Sequence, residues 1–196
     1  MSGYWVDKNT KSGKIFSNND IDIEEYIGLL YRALKPQTHC YIFTNNVNLP
    51  HFLDVISRSQ FKFVKSLIWD KCSKIAGRYY MGCYEYILFL RKGGDRSIND
   101  CGTGDILRVP VGEKPMFEDG SFVNPTAKPV ELYEILIKNS SSENDLVLDP
   151  FCGSGTIGRA CKKSGRRYIG FDIDAAQIEY ARKSVSRFSF QRTIFG

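Results

Sequence analysis

The sequence predicts an α/β fold with a largely parallel sheet, and three observations carry that expectation. Strand-like apolar runs alternate with amphipathic helical patterns along most of the 196 residues. A short apolar run, Leu146-Val147-Leu148, meets a glycine turn, Gly153-Ser154-Gly155, that opens a helical pattern from Ile157 to Lys163. A second run, Arg167 to Phe171, then ends in Asp172, 16 positions after Thr156. A strand that turns through glycines into a helix leaves backbone N–H groups at the helix N-terminus. There the dipole favours anionic groups, and the missing side chains let a ligand approach the backbone. An acidic residue at the tip of the next strand is where nucleotide-binding α/β folds hold ribose hydroxyls.

Each element has its own local reason. Asp22 with Glu25 three residues on forms an N-capping pattern, and Ile23, Ile27, Leu30 and Leu34 fall on one helical face that Pro36 closes. His39 to Thr44 reads as a strand, with Asn45-Asn46 as a turn. Leu49, Phe52, Leu53 and Ile56 mark a second short helix, and Phe61–Trp69 and Tyr84–Leu90 are aromatic and β-branched enough for strands. From Lys92 to Val123 the pattern dissolves into Gly, Asp, Asn and Pro. Such long irregular inserts are often functional loops, and a surface loop is the other reading. Pro129 then opens a helix carrying Val130, Tyr133, Leu136 and Ile137 inward, before the strand–turn–helix–strand–helix run to about Arg187.

Length and composition fit one globular domain spanning 1–196, with 42% hydrophobic and 25% charged residues. No apolar run reaches the roughly 20 residues that span a bilayer, and no basic-then-apolar export signal opens the chain. A cytoplasmic protein without membrane attachment is expected. Six cysteines, Cys40, Cys72, Cys83, Cys101, Cys152 and Cys161, form no C-x-x-C pair, so no metal site is expected. The net charge of +5 is concentrated from Arg159 to the C-terminus, where nine basic residues face three acidic ones. That segment reads either as a nucleic-acid contact or as solvated helix faces. His39 and His51 read as packing or surface residues.

Three motifs in order narrow these readings: Asn124-Pro125-Thr126-Ala127-Lys128-Pro129, then Asp149-Pro150-Phe151-Cys152-Gly153-Ser154-Gly155-Thr156, then Gly170-Phe171-Asp172. Together they resemble the amino-methylating DNA methyltransferases (adenine-N6 or cytosine-N4) whose cofactor motifs lie C-terminal to the catalytic motif. The resemblance implies a Rossmann-like class I methyltransferase sheet, S-adenosylmethionine as cofactor and DNA as partner, with adenine-N6 ahead of cytosine-N4. Asp149, Pro150, Phe151, Gly153, Ser154, Gly155 and Thr156 would line the methionine end, and Asp172 the ribose. Asn124, Pro125, Thr126 and Lys128 would close the pocket beside them, Asn124 standing where the family usually has His. On this reading 124–187 is the cofactor-binding half and 92–123 the target-recognition insert. Asp172 has a second reading as the cap of the following helix, and Phe151 as core.

The family's catalytic motif, (Asp/Asn/Ser)-Pro-Pro-aromatic, is missing. Its polar side chain and a backbone carbonyl accept the hydrogens of the target amine, and its aromatic stacks on the flipped base. All seven prolines here are followed by something else: Gln37, His51, Val111, Met116, Thr126, Val130 and Phe151. No Pro-Cys pair exists either, which excludes C5-cytosine chemistry of that family's kind. No catalytic residue is therefore assigned. In the family the motif sits just before a segment like Ser2 to Lys14, so the chain is expected to be an N-terminally incomplete or split form. The motif's strand pairs beside the one ending at Asp149. Without it, long apolar edges are expected to favour a second polypeptide or a homodimer. A non-catalytic cofactor- or DNA-binding homologue is the alternative. A methyltransferase for RNA or protein is disfavoured by the Asn124–Pro129 motif.

Overall fold

The computed structural model describes residues 21–75 and 79–187. The segment from Ser2 to Lys14, expected to follow a catalytic motif, lies outside them. The chain divides into two compact units, 1–97 with 102–108 and 98–101 with 109–196.

The first unit begins with α1 (Ile23–Ala33), whose start is the expected capping box. The Asp22 carboxylate accepts from Glu24 N at 2.9 Å, and Glu25 Oε1 accepts from Asp22 N at 3.0 Å. Then follow β1 (Thr38–Thr44), α2 (Leu49–Arg58), β2 (Lys62–Ile75), β3 (Gly82–Lys92) and β4 (Ile106–Arg108). The sheet order is β1-β3-β2-β4. β3 is antiparallel to both β1 and β2, while β4 runs parallel to β2. Three strands therefore share one direction, and β3, only six residues after β2 in the chain, is inserted against it. The α/β class holds, but the ladders of this sheet are mostly antiparallel, which corrects the largely parallel expectation. A tight reversal joins antiparallel neighbours, whereas parallel pairing needs a crossover. The core of this unit is Ile23 and Ile27 of α1, Val55 and Ile56 of α2, and Ile42, Phe61, Leu88 and Leu90 from the sheet side.

Lys92 closes α1 from the sheet. Its Nζ donates to Tyr31 O and Leu34 O, both at 2.7 Å, and lies 4.6 Å from the Tyr31 ring centroid. A cation on the last carbonyls of a helix opposes the dipole and satisfies acceptors that have no helical partner. Lys92→Met is expected to cost about 1–2 kcal/mol, read as a lowered urea midpoint at unchanged slope. An unchanged midpoint would contradict the assignment.

The two histidines have structural surroundings. The His39 ring stands edge-on to Phe89, centroids 4.9 Å apart, and His51 Nε2 lies 2.9 Å from the Asp22 carboxylate at the surface.

The second unit carries α3 (Val130–Ser140), β5 (Leu146–Asp149), α4 (Thr156–Lys163), β6 (Arg167–Gly170) and α5 (Ala175–Arg187). Pro129 is the residue just before α3, with φ −65°, one position earlier than expected. β5 and β6 form a two-stranded parallel sheet, and among the described residues the outer edge of β5 carries no ladder. That edge is short, four residues with only Leu146 clearly exposed, rather than the long apolar edge expected. Ile137, Ala160 and Cys161 form a small core with Val130, Tyr133, Val147, Ile157 and Tyr168 around it. The insert 92–123 is divided: Ile106–Arg108 forms β4 of the first unit. A hairpin in the second unit bridges Met116 to Phe122, with Phe117 N donating to Ser121 O at 2.8 Å.

Much of the basic C-terminal segment is used by the fold itself. Lys162 Nζ donates to Val185 O and Ser186 O at the end of α5, both at 3.1 Å. Lys163 pairs with Glu134 at 2.6 Å, and Lys183 with Glu179 at 2.7 Å. Arg166 holds Ser141 O at 2.7 Å and Arg167 holds Asn144 O at 2.9 Å. Of the two readings of this segment, packing has the direct contacts.

Candidate cofactor site

The site forms where β5 ends. Asp149 is the last residue of the strand and is buried, 8% exposed. One carboxylate oxygen accepts from Phe151 N at 3.1 Å, and the other lies 3.4 Å from the Tyr168 hydroxyl. Burial dominates and raises its pKa to about 6, with Asp172 adding to the rise, while the Phe151 and Tyr168 hydrogen bonds oppose it. The chain then crosses to β6, with Phe171 N donating to Asp149 O at 2.9 Å and Cys152 N to Phe171 O at 2.8 Å. Gly153 N donates to Asp172 Oδ2 at 2.7 Å, so the acidic tip of β6 is locked onto the glycine turn.

Asp172 does not cap α5. Asp174 does, its Oδ1 accepting from Ala176 N at 2.9 Å and Gln177 N at 3.3 Å. Among the described residues Asp172 Oδ1 accepts from the nearby Asp174 N at 3.0 Å, leaving carboxylate lone pairs for further donors. Phe151 is not core: it is 50% exposed, and Phe171 and Ile173 on either side of Asp172 are 57% and 80% exposed.

The glycines of the turn work differently from the expectation. Gly153 and Gly155 have φ of +48° and +78°, a left-handed region that side chains resist. Their Cα faces, however, point at packing partners. A Cβ on Gly153 would meet Asn124 Nδ2 at 2.5 Å and Gln177 Oε1 at 3.1 Å, and one on Gly155 would meet Ala181 Cβ at 2.8 Å. These glycines let α5 and the Asn124 segment close on the turn, the helix-packing role glycine takes in dinucleotide folds.

The remaining expected residues are placed as follows. Asn124 is half-buried, and its Oδ1 accepts from Thr126 N at 3.0 Å and Thr126 Oγ1 at 2.8 Å. That hydroxyl is thus turned back on its own segment. Pro125, Lys128 and Pro150 are half-buried, and Lys114 Nζ ties the segment through Ala127 O at 2.7 Å. Ser154 and Thr156 are buried, their hydroxyls 3.5 Å apart, with Arg159 donating to Thr156 at 3.2 Å. Tyr168 and Gln177 were not singled out by the sequence. Gln177 Oε1 is buried without a hydrogen-bond partner.

Comparisons with known proteins identify the family. A family model described as DNA methylase, for N6/N4 methyltransferases, matches residues 3–183. The chain belongs to the amino-methylating DNA methylase family. Relatives within this methylase family include the type II methyltransferase M2.DpnII of Streptococcus pneumoniae, 31% identical over 81% of this chain and 64% of its own. The DNA adenine methyltransferase YhdJ of Escherichia coli is 31% identical over 79% of this chain and 63% of its own. This methylase chain thus spans just under two thirds of the length of these relatives. The solved complex of M1.HpyAVI with SAM aligns at a TM-score of 0.70 and 25% identity, covering 84% of this chain and 83% of that one. The class I methyltransferase fold follows. Among the described residues no helix is long and apolar enough to cross a membrane.

The Asp149 position has a consequence for stability. Its folded pKa of about 6 lies above the ordinary 3.8, so the folded state holds the proton more tightly than the unfolded chain. That favours the fold fully below about pH 4 and is lost as pH rises through about 6. Asp149→Asn has nothing to ionise. At neutral pH it is expected to be more stable than the parent by about 2–3 kcal/mol, the gap closing near about pH 4. Calorimetric melts of both across that window check this; parallel curves would contradict it.

Proposed function

We propose that the chain is the cofactor-binding part of an S-adenosylmethionine-dependent DNA amino-methyltransferase, adenine-N6 ahead of cytosine-N4, acting in the cytoplasm. The observation that carries this is the buried Asp149 carboxylate beside a glycine turn locked by Asp172, rimmed by exposed Phe151, Phe171 and Ile173. Such a donor set fits this cofactor. A buried carboxylate whose titration no cation of the described residues lowers suits an ammonium group, the open lone pairs of Asp172 suit ribose hydroxyls, and exposed apolar side chains beside them suit the faces of a purine. When bound, the cofactor supplies a methyl group on a sulfonium. Asn124, Pro125, Thr126 and Lys128 close the turn, and 92–123 contributes to target recognition.

Catalysis on this reading needs a Pro-Pro-aromatic strand that the 196 residues do not contain. The outer edge of β5, which carries no ladder among the described residues, and the greater length of the relatives support a strand supplied by a further segment, a second polypeptide or a dimer partner. The same absence favours a second reading, a homologue that binds cofactor or DNA without methylating.

Ultraviolet cross-linking of methyl-labelled S-adenosylmethionine tests the cofactor reading. Label is expected in peptides of 124–187 and is displaced by S-adenosylhomocysteine but not by ATP. Equal competition by ATP, or no label, would contradict it.

A further inference from the structure

Two glycines of the second unit are explained by neither backbone conformation nor the cofactor turn. Gly158 lies inside α4 and Gly170 ends β6, and neither has positive φ. Glycine weakens both kinds of element. The Tyr168 ring lies against both, sharing the Gly158 face with Val185 of α5, whose Cγ2 would be 2.8 Å from a Cβ there. That Cβ on Gly158 would lie 2.8 Å from Tyr168 Cε1 and 2.9 Å from Tyr168 Cδ1, and one on Gly170 would lie 2.7 Å from Tyr168 Cζ. The two missing side chains form a slot for this ring. The slot delivers the hydroxyl to a point 3.4 Å from Asp149 Oδ2. That separation is long for an O–H···O bond, as functional hydrogen bonds often are before a ligand arrives.

We propose that Tyr168 is the positioning residue of the cofactor site: seated between Gly158 and Gly170, it aims the Asp149 carboxylate and supplies the hydrogen bond that keeps it a charged acceptor for the cofactor's ammonium group. This rests on the cofactor reading above and adds a residue that touches no reacting atom. The two oxygens of Asp149 are then fixed by different partners, one by Phe151 N and one by Tyr168. The groups facing Asp149 are Tyr168 and Asp172 of β6 and its tip, Cys152 of the turn and Cys161 of α4. Asp172 disfavours a second charge, and Cys152 and Cys161 are neutral, their thiols raised by burial to about 11 and about 12. Tyr168 is the one side chain whose hydrogen bond favours the ionised form. Its own ionisation is pushed up by burial, so it stays a donor throughout.

The test is calorimetric titration of the full chain with S-adenosylmethionine at several pH values, for the parent, Tyr168→Phe and Gly158→Ala. Tyr168→Phe keeps the ring and removes only the donor, so the Asp149 pKa rises further. It is expected to bind like the parent near about pH 8 and about tenfold more weakly near about pH 5.5, one pKa unit being a factor of ten in this regime. Gly158→Ala, which crowds both the ring and Val185 of α5, is expected to add the same pH-selective loss to a lowered melting temperature; if it does not fold, Tyr168→Phe alone decides. Equal affinity of Tyr168→Phe and parent at every pH overturns the role of Tyr168 while the cofactor reading stands. A uniform loss at all pH values with a lowered melting temperature also overturns it, since the ring would then be structural. A parent that binds at no pH removes the cofactor reading, and this inference with it.

Discussion

Given DNA and S-adenosylmethionine, the chain alone is expected to transfer methyl groups at less than about a thousandth of the rate seen once a Pro-Pro-aromatic strand is supplied. An exocyclic amine shares its lone pair with the ring, so it attacks a methyl group only when acceptors draw off its hydrogens and the base is held out of the duplex. The second unit offers carboxylates and backbone donors at the ends of β5 and β6, arranged around a turn. None of its prolines is followed by another proline, so the rigid strand that aims a carbonyl and an aromatic at the amine is lacking. Tritium incorporation into DNA measures this directly. Adding a polypeptide that bears the motif is expected to restore transfer. Full activity of the chain alone would place the amine acceptors elsewhere and overturn the reading.

Gly155→Ala is expected to be the most damaging single substitution in the second unit. At φ +78° an alanine meets the left-handed penalty, roughly 1–2 kcal/mol. Its Cβ would also sit 2.8 Å from Ala181 Cβ and 3.1 Å from Ala181 Cα. Backbone cannot swing aside as a flexible side chain can, so overpacking adds roughly 1–3 kcal/mol. A total of about 2–5 kcal/mol is a large share of a marginally stable domain. Urea unfolding is expected to show a lowered midpoint, with cofactor binding lost because the turn is displaced from Asp172. Gly153→Ala is expected to cost less, since the Asn124 amide it meets at 2.5 Å can turn. Equal costs at the two positions would contradict this account of the turn.

Most helices and strands were legible because local chemistry and tertiary packing agree in them. The Asp22–Glu25 box starts α1, and the 3.6-residue spacing of Ile23 and Ile27 puts both in the core. Where the two disagree, the sequence was silent. β4 is three residues, Ile106–Arg108, inside a Gly- and Pro-rich insert, and it is a strand only because β2 pairs with it. β2 runs on through Asp70 to Ile75, well past Trp69, its register with β3 breaking after Asp70 and resuming where Ile75 pairs with Gly82, although Asp70-Lys71-Cys72-Ser73-Lys74 has no strand pattern. The reversed direction of β3 was equally hidden, since direction is set by connection and not by composition.

At the site, residue types and order located the turn and both carboxylates but not what each glycine does. The reading of glycine as room for a ligand overlooked α5, which claims the faces of Gly153 and Gly155. Tyr168 read only as a strand residue. The signal that identifies it is the pair of glycines at 158 and 170, which acquires meaning once β6 is laid beside α4. Gln177 had no sequence signal, being one polar residue on an amphipathic helix.

The most direct test of the central claim is titration calorimetry of the chain and its Asp149→Ala variant with S-adenosylmethionine near about pH 8, where the carboxylate is ionised. Losing a buried charged partner for an ammonium group costs roughly 2–5 kcal/mol, so the variant is expected to bind at least about thirtyfold more weakly than the parent while remaining folded. Parent and variant binding with the same affinity, or a folded parent that releases no heat and takes up no cofactor, would contradict the assignment of this turn as the cofactor site.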